Sequence, residues 1–369
     1  MQQYRAQRPI HAVMTAALLC AAGLPPGGSG RRDPQTVGSR NVCNSTPALV
    51  ATLEGHGTSK RMMPDRKIHT RPMWIPAVAI DGRTVVSGDF EGNVKVWILT
   101  TEPVVTVSPQ PASVATATEH TAGITSVLVR GDFAASASRD TTIRLWRIHR
   151  RPAGSREAVH LEATRLLLGH TAEVNGLAVW REVLISASTD MTIRVWEPAS
   201  GEMLAVLKGH TAAVNNVAVH GDVVVSTSDD KAVRMWSLSL RKCTHVFKDA
   251  HSNFGFGVAL HRHTVVSGGF DNTVKVWSLT RRQFLYYLDA DLVIKLAIDV
   301  DGDRLVVARG PANDAAIYDY GGADAGWTCM AKLPTGEGTG GHTRSVMAAA
   351  ISGDLVATAG KDGTVKVWR

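Results

Sequence analysis

The chain has 369 residues, 44% of them hydrophobic and 20% charged; that length and balance can bury a full core, which excludes a wholly disordered polymer and a small cysteine-stapled scaffold. Trp outnumbers both Phe and Tyr, nine against seven and five, so Trp has a repeated task. The net charge of +7 invites a nucleic-acid or membrane reading, but residues 1–70 hold nine Lys and Arg against three Asp and Glu, which leaves the rest of the chain nearly neutral and excludes a strongly basic body.

From the N-terminus, residues 1–47 read as a leader, disordered or targeting. Arg5 and Arg8 precede an apolar stretch from Ala12 to Leu24, closed by Pro25-Pro26-Gly27-Gly28. That pattern fits a secretory signal. The lack of acidic residues before Asp33 fits a transit peptide equally, and an alanine-rich leader with no targeting role is the third reading. No run reaches the roughly 18 apolar residues of a spanning helix. Cys20, Cys43, Cys243 and Cys329 show no Cys-x-x-Cys or zinc spacing and read as free thiols in a reducing compartment. The expected localisation is intracellular and cytoplasmic, with a signal or transit peptide as the alternative.

Beyond the leader the chain repeats itself. His120-Thr121-Ala122 recurs as His170-Thr171-Ala172 and His210-Thr211-Ala212. Five His residues each precede a Trp by 26 positions: His120 and Trp146, His170 and Trp196, His210 and Trp236, His251 and Trp277, His342 and Trp368. Ten before each Trp stands Ser136, Ser186, Ser226, Ser267 or Thr358, and six before it Asp140, Asp190, Asp230, Asp271 or Asp362. Within a unit, an alternating stretch such as Val174 to Val179 is followed by a polar turn, for example Gly221-Asp222. A β-branched run such as Val223-Val224-Val225-Ser226 comes next, then a turn carrying the Asp, then a strand ending in the Trp. Period-two alternation between turn residues is the strand and hairpin signature. A fourth strand, such as Met203 to Leu207, precedes the next Gly-His.

With Gly169-His170, Gly209-His210 and Gly341-His342 beside these spacings, the chain resembles the WD40-repeat family. The resemblance covers residues 48–369 and implies an all-β, seven-bladed β-propeller of four-stranded antiparallel blades. One departure is that no Asp follows any of the Trp residues. A sixth unit ends at Trp97, with Ser87 ten before it and Glu91 in place of Asp; its His is either His56 or His69. A seventh lies between Trp277 and His342, with Tyr318 at the Trp position and Leu292, Ala308 and Ala312 in place of the polar set. The closing fourth strand of the last blade is expected from Leu49 to Leu53, so that the N-terminal strand closes the ring and removes an open sheet edge.

The resemblance also implies that each His, Ser or Thr, Asp and Trp set is a hydrogen-bonded structural tetrad. Repetition in five units argues against five catalytic triads, and no separate nucleophile–base set, cofactor motif or metal-ligand spacing stands out. The chain therefore reads as a non-catalytic scaffold needing no cofactor or metal. It would bind protein or peptide segments on the top face and act as a monomeric propeller within a larger complex. The residues before each Asp point onto that face in the family. With their neighbours they make Phe90, Arg139, Phe254, Phe256, Phe270 and Lys361 the candidate partner-binding residues, since aromatics and Arg anchor interfaces. Lys60 and Arg61 join them from a basic loop between Gly55 and Pro72, with Arg66, Lys67, His69 and Arg71. Two alternatives remain: a substrate-recognition subunit of a ubiquitin-ligase complex, or nucleic-acid or phospho-ligand binding through the 60–71 loop. Nucleic acid is disfavoured by the near-neutral body. Arg144, Arg194 and Arg234, two before each Trp, read as a repeated structural face. Ile98 to Glu119 and Arg147 to Ala163 read as long connections. His261 and His263, alternating in a turn, read as exposed loop residues.

Overall fold

A computed structural model describes residues 47–62, 68–99, 114–150, 159–261, 264–288, 298–309, 314–322, 326–336 and 340–369. These residues belong to one compact unit, Val37–Arg369, and are built from strands without helices. Apart from Pro47, the expected leader lies outside them, as do Leu292 and Ala312.

Strand β1 (Leu49–Leu53) is followed by a hairpin, β2 (Thr58–Met62) and β3 (Ile68–Pro72). Blade 1 then holds β4 (Ala77–Asp81), β5 (Thr84–Gly88), β6 (Val94–Ile98) and β7 (Val114–Ala117). Blade 2 holds β8 (Ile124–Arg130), β9 (Phe133–Ser138), β10 (Ile143–Arg150) and β11 (Val159–Leu167). Blade 3 holds β12 (Val174–Trp180), β13 (Val183–Ser188), β14 (Thr192–Trp196) and β15 (Met203–Lys208). Blade 4 holds β16 (Val214–His220), β17 (Val223–Ser228), β18 (Val233–Ser237) and β19 (Lys242–Phe247). Blade 5 holds β20 (Gly255–Leu260), β21 (Thr264–Gly269), β22 (Val274–Ser278) and β23 (Gln283–Leu288). Blade 6 holds β24 (Ile298–Asp301), β25 (Arg304–Arg309), β26 (Asp314–Tyr320) and β27 (Trp327–Lys332). Blade 7 holds β28 (Val346–Ser352), β29 (Leu355–Gly360) and β30 (Val365–Trp368), and its fourth strand is β1. Every blade is an antiparallel sheet of four strands in a ring of seven.

The N-terminal strand closes that ring. Leu53 pairs with Val365 and Thr52 with Lys366, and Ala48 and Arg369 exchange two backbone bonds of 2.9 Å. Leu53, 1% exposed, packs with Ile75, Trp97 and Val367 across the joint between blades 7 and 1.

The core is divided among the seven joints between neighbouring blades. The second strand of each blade shows why its sequence is a continuous apolar run. Val224 packs toward blade 3 and the next residue, Val225, toward blade 5. Leu184 and Ile185, and Val85 and Val86, divide in the same way, while in blade 6 the order is reversed, Val306 toward blade 7 and Val307 toward blade 5. Period-two side chains on a strand covered on both faces must all be apolar. Each Trp faces the preceding blade: Trp146 toward blade 1, Trp196 toward blade 2, Trp236 toward blade 3. Tyr318, 2% exposed, fills that place in blade 6. A bulge precedes the large aromatic where the third strand meets the fourth in blades 2 to 6.

Two expectations about connections need correcting. Residues Arg147 to Arg150 and Val159 to Ala163 are not loop: β10 and β11 extend past the Trp and pair as far as Arg150 with Val159. Likewise, much of the basic 55–72 loop is a hairpin, with Lys60 and Arg61 on β2.

Candidate protein-binding face

Each blade is a meander, so the turn before its third strand and the loop before its first strand lie on the same side. A backbone bond ties them together: Phe90 N to Trp74 O, Arg139 N to Gly123 O, Thr189 N to Glu173 O, Asp229 N to Ala213 O, Phe270 N to Phe254 O and Lys361 N to Ser345 O. This repeated clamp builds the top face.

Beneath it lie the polar sets. His120 Nδ1 is 2.7 Å from Asp140 and its Nε2 2.8 Å from Ser136 Oγ, which accepts the Trp146 Nε1–H at 2.9 Å. The same chain runs through His170, Asp190, Ser186 and Trp196, and through His210, Asp230, Ser226 and Trp236. It recurs through His251, Asp271, Ser267 and Trp277, and through His342, Asp362, Thr358 and Trp368. The chemistry fixes the direction of each bond. A carboxylate only accepts, so Nδ1 carries the proton; Nε2 then accepts the hydroxyl proton, and the hydroxyl oxygen accepts from the indole. Every polar atom is satisfied by a neutral imidazole.

A sixth set stands in blade 1, and it corrects the placing of the acid at Glu91. The carboxylate comes from Asp89, two residues earlier: His56 Nδ1 lies 2.9 Å from Asp89 Oδ2, and His56 Nε2 lies 2.7 Å from Ser87, which accepts from Trp97. Asp89 Oδ1 also accepts the amides of Glu91 and Asn93. Glu91 is exposed. Of the two His candidates, His56 makes these contacts. In blade 6, Ala308 is fully buried and no Trp stands at the third-strand position.

Burial lowers the pKa of His56, His120 and His210, outweighing their carboxylate partners. For the partner acids, burial pushes the pKa up, but bonds from His and neighbouring donors outweigh it. Asp230 and Asp362 are held at about 2, and Asp89, Asp140, Asp190 and Asp271 are also lowered. Both kinds of group lose stability in acid. Below pH 6.5 the unfolded histidines take up protons before the folded ones do. Below pH 3.8 the unfolded carboxyls do the same, until the folded ones titrate near 2. The thermal midpoint is therefore expected to fall between pH 7 and 5 and again below pH 4. A midpoint flat from pH 7 to 5 in a calorimetric series would contradict neutral buried histidines.

Above the tetrads, Phe90, Arg139, Phe254, Phe256, Phe270 and Lys361 form two groups; the side chains of Lys60 and Arg61 lie outside the described ones. Around blades 7, 1 and 2, Lys361 Nζ lies 4.5 Å over the Trp74 ring and Arg139 lies 4.6 Å over the Phe90 ring. Trp74 meets Phe90 edge-on at 5.7 Å, and Arg139 reaches Glu173 at 3.9 Å. At blade 5, Phe256 and Phe270 lie 4.7 Å apart, with Phe254 at 6.5 Å from Phe270. All four Phe residues are half-buried. Between the groups, Asn175 Nδ2 bonds Thr189 Oγ1, and Asn215 Nδ2 bonds Asp229 Oδ1. Asn175 and Asn215 also bond carbonyls of the next blade, Val214 and Gly255. Burial, with Asp230 nearby, raises the Asp229 pKa despite the Asn215 bond.

Sequence reasoning missed Trp74 and Glu173. Trp74 carried a signal, being one of three Trp residues outside the repeated position. Trp180 pairs with His220 at 4.4 Å, and Trp327 is buried against His261 and Tyr320. His261 is a further correction: it is 4% exposed, with Nε2 3.0 Å from Asp303, and is not an exposed loop residue.

The basic residues two before each Trp lie against their own blades. Arg144 bonds Glu119 at 2.7 Å, Arg234 approaches Asp230 at 3.8 Å, and Lys275 donates to Ala250 O at 2.6 Å. Cys243 is a free, half-buried thiol. Cys329 is in a disulfide, so the reading of four free thiols fails there, and with it the thiol argument for a reducing compartment. Among the described residues no group of three or more His, Cys, Asp or Glu could hold a metal, and no helix is long and apolar enough to cross a membrane.

The WD40 family model (WD domain, G-beta repeat) matches residues 112–147, 161–197, 201–237, 241–278 and 327–369, more than half of the chain. The chain belongs to the WD40 family. No curated protein matches it. The matched repeats begin around the fourth strand of one blade and end with the third strand of the next. Each WD40 repeat thus spans a joint, and the repeats interlock. Blade 1 up to its third strand is unmatched, and there the carboxylate is displaced to Asp89. Blade 6 up to its third strand is unmatched as well, and its hydroxyl position is Ala308. WD40 propellers generally mediate protein–protein interactions, and they are generally non-catalytic.

Proposed function

We propose that this WD40 protein is a non-catalytic scaffold, residues 1–47 its leader and 48–369 its propeller, that captures protein segments on the top face. The observation that carries the reading is the two half-buried aromatic groups there, Trp74 with Phe90 and Phe254 with Phe256 and Phe270. Rings clamped in place lose little freedom on binding, and aromatics supply most anchor residues in interfaces. The six tetrads are occupied with holding loops, which supports binding rather than chemistry.

The test compares partners recovered by proximity labelling of tagged wild type with those of a Phe90→Ala, Arg139→Ala, Phe270→Ala variant. Partners are expected to be lost from the variant, whose melting curve serves as the folding control. A folded variant that retains every partner would sink the top-face reading.

A further inference from the structure

The cluster around blades 7, 1 and 2 has an unusual charge balance. Two cations rest on neighbouring rings that meet edge to face, Lys361 over Trp74 and Arg139 over Phe90. Among the described residues Lys361 has no carboxylate within 4 Å, and burial alone lowers its pKa. Arg139 has only Glu173, at 3.9 Å, with both side chains about a third exposed. Elsewhere comparable cations have closer partners, Arg144 Nη1 donating to Glu119 at 2.7 Å and Lys275 to the Ala250 carbonyl at 2.6 Å, although the buried Nε atoms of Arg144, Arg194 and Arg234 make no hydrogen bond. The backbone of hairpin β2–β3 leads directly into this cluster. Met73 N bonds Gly57 O at 3.2 Å, and Pro72 packs against the Gly363 turn that follows Lys361.

We propose that Lys361 and Arg139, held over Trp74 and Phe90, form a subsite for an Asp or Glu side chain of a bound protein segment. The inference rests on the segment-binding reading above and adds the chemistry of the ligand. A carboxylate can accept from the three Nζ protons and from the guanidinium fork, and such charge-assisted bonds are stronger than exposed cation–π contacts. Each ring holds its own cation in place, so little side-chain freedom is lost on binding. It also relieves the cost of a half-buried ammonium without a counterion. Farther round the ring, Asp229 on blade 4 repels a second acid, and the Phe254–Phe256–Phe270 group on blade 5 suits an apolar side chain. The bound segment is therefore acidic at one end and apolar at the other.

Panning the full chain against a phage-displayed random dodecapeptide library tests this. Wild type should enrich peptides carrying Asp or Glu, and replacing that acid by Gln or Asn in a synthetic peptide should weaken binding about tenfold. A Lys361→Met, Arg139→Met variant, which keeps the packing on the rings, should still select apolar peptides but without acid enrichment. Lys361→Arg with Arg139→Lys should restore it. Acid-independent selection by wild type, or acid enrichment surviving in the double Met variant, overturns the inference and leaves the face reading standing. Selected peptides that bind both the Phe256→Ala, Phe270→Ala protein and the double Met variant as well as they bind wild type, or no selected peptides at all, overturn both. If the double Met variant does not fold, the Gln or Asn substitution in the peptide decides on its own.

Discussion

Deleting Leu49–Leu53 is expected to lower the thermal midpoint by about 10 °C or more. The strand is the fourth member of blade 7, and its removal leaves β30 as an open edge. Loss of buried Leu53 from the joint with Ile75, Trp97 and Val367 costs about 2–5 kcal/mol. Each backbone bond to β30 adds about 1 kcal/mol. The joint between blades 7 and 1, where Leu53 packs with Ile75 and Trp97, then loosens, although β28–β30 still pack against both neighbouring blades. The control moves the strand: residues 47–53 joined after Arg369 through a short hairpin linker should recover most of the midpoint. A deletion variant that melts like wild type would show that β1 does not latch the ring.

Ser226→Ala is the point change expected to cost most for its size. The hydroxyl bridges His210 Nε2 at 2.7 Å and Trp236 Nε1 at 2.9 Å, and the site is fully buried. Removing one oxygen leaves an indole N–H and an imidazole nitrogen without partners, each costing about 1–3 kcal/mol. The expected loss is therefore about 2–5 kcal/mol, although the substitution removes almost no volume. Blade 6 supplies the comparison. Ala308 stands there naturally, with Tyr318 in place of Trp, so the backbone tolerates Ala wherever the network it would orphan is absent. Ser226→Ala combined with Trp236→Phe should cost less than the two single changes together. Denaturant midpoints that add strictly would contradict a shared network.

Much of this protein was legible in its sequence because WD40 geometry is local and repeated. His, Ser or Thr, Asp and Trp each have one strand or turn position per unit, so fixed spacing carried the tetrads of blades 2, 3, 4, 5 and 7. Strand count and ring closure followed from the same periodicity. In blade 1, however, spacing pointed to Glu91 and left His56 and His69 open. There Asp89 reaches the imidazole from two residues earlier, and a hairpin separates His56 from its blade. Spacing cannot anticipate this, since a shorter side chain at another register position meets the same nitrogen once the turn refolds. His261 failed for a related reason: its burial comes from Asp303, Tyr320 and Trp327 in the neighbouring blade.

What the sequence determined by itself was the unit, its strands and its internal hydrogen-bond chain, because those contacts join residues within one repeat. Only the tertiary structure decided which side chains meet across joints. Lys361 and Trp74 lie almost the whole chain apart, yet ring closure brings the ammonium over the indole. Arg139 and Phe90 belong to different blades, and the joint between them sets their contact. Repeat position placed Phe90, Arg139 and Lys361 on one face, but only the joints between repeats decided that Lys361 meets Trp74 and Arg139 meets Phe90.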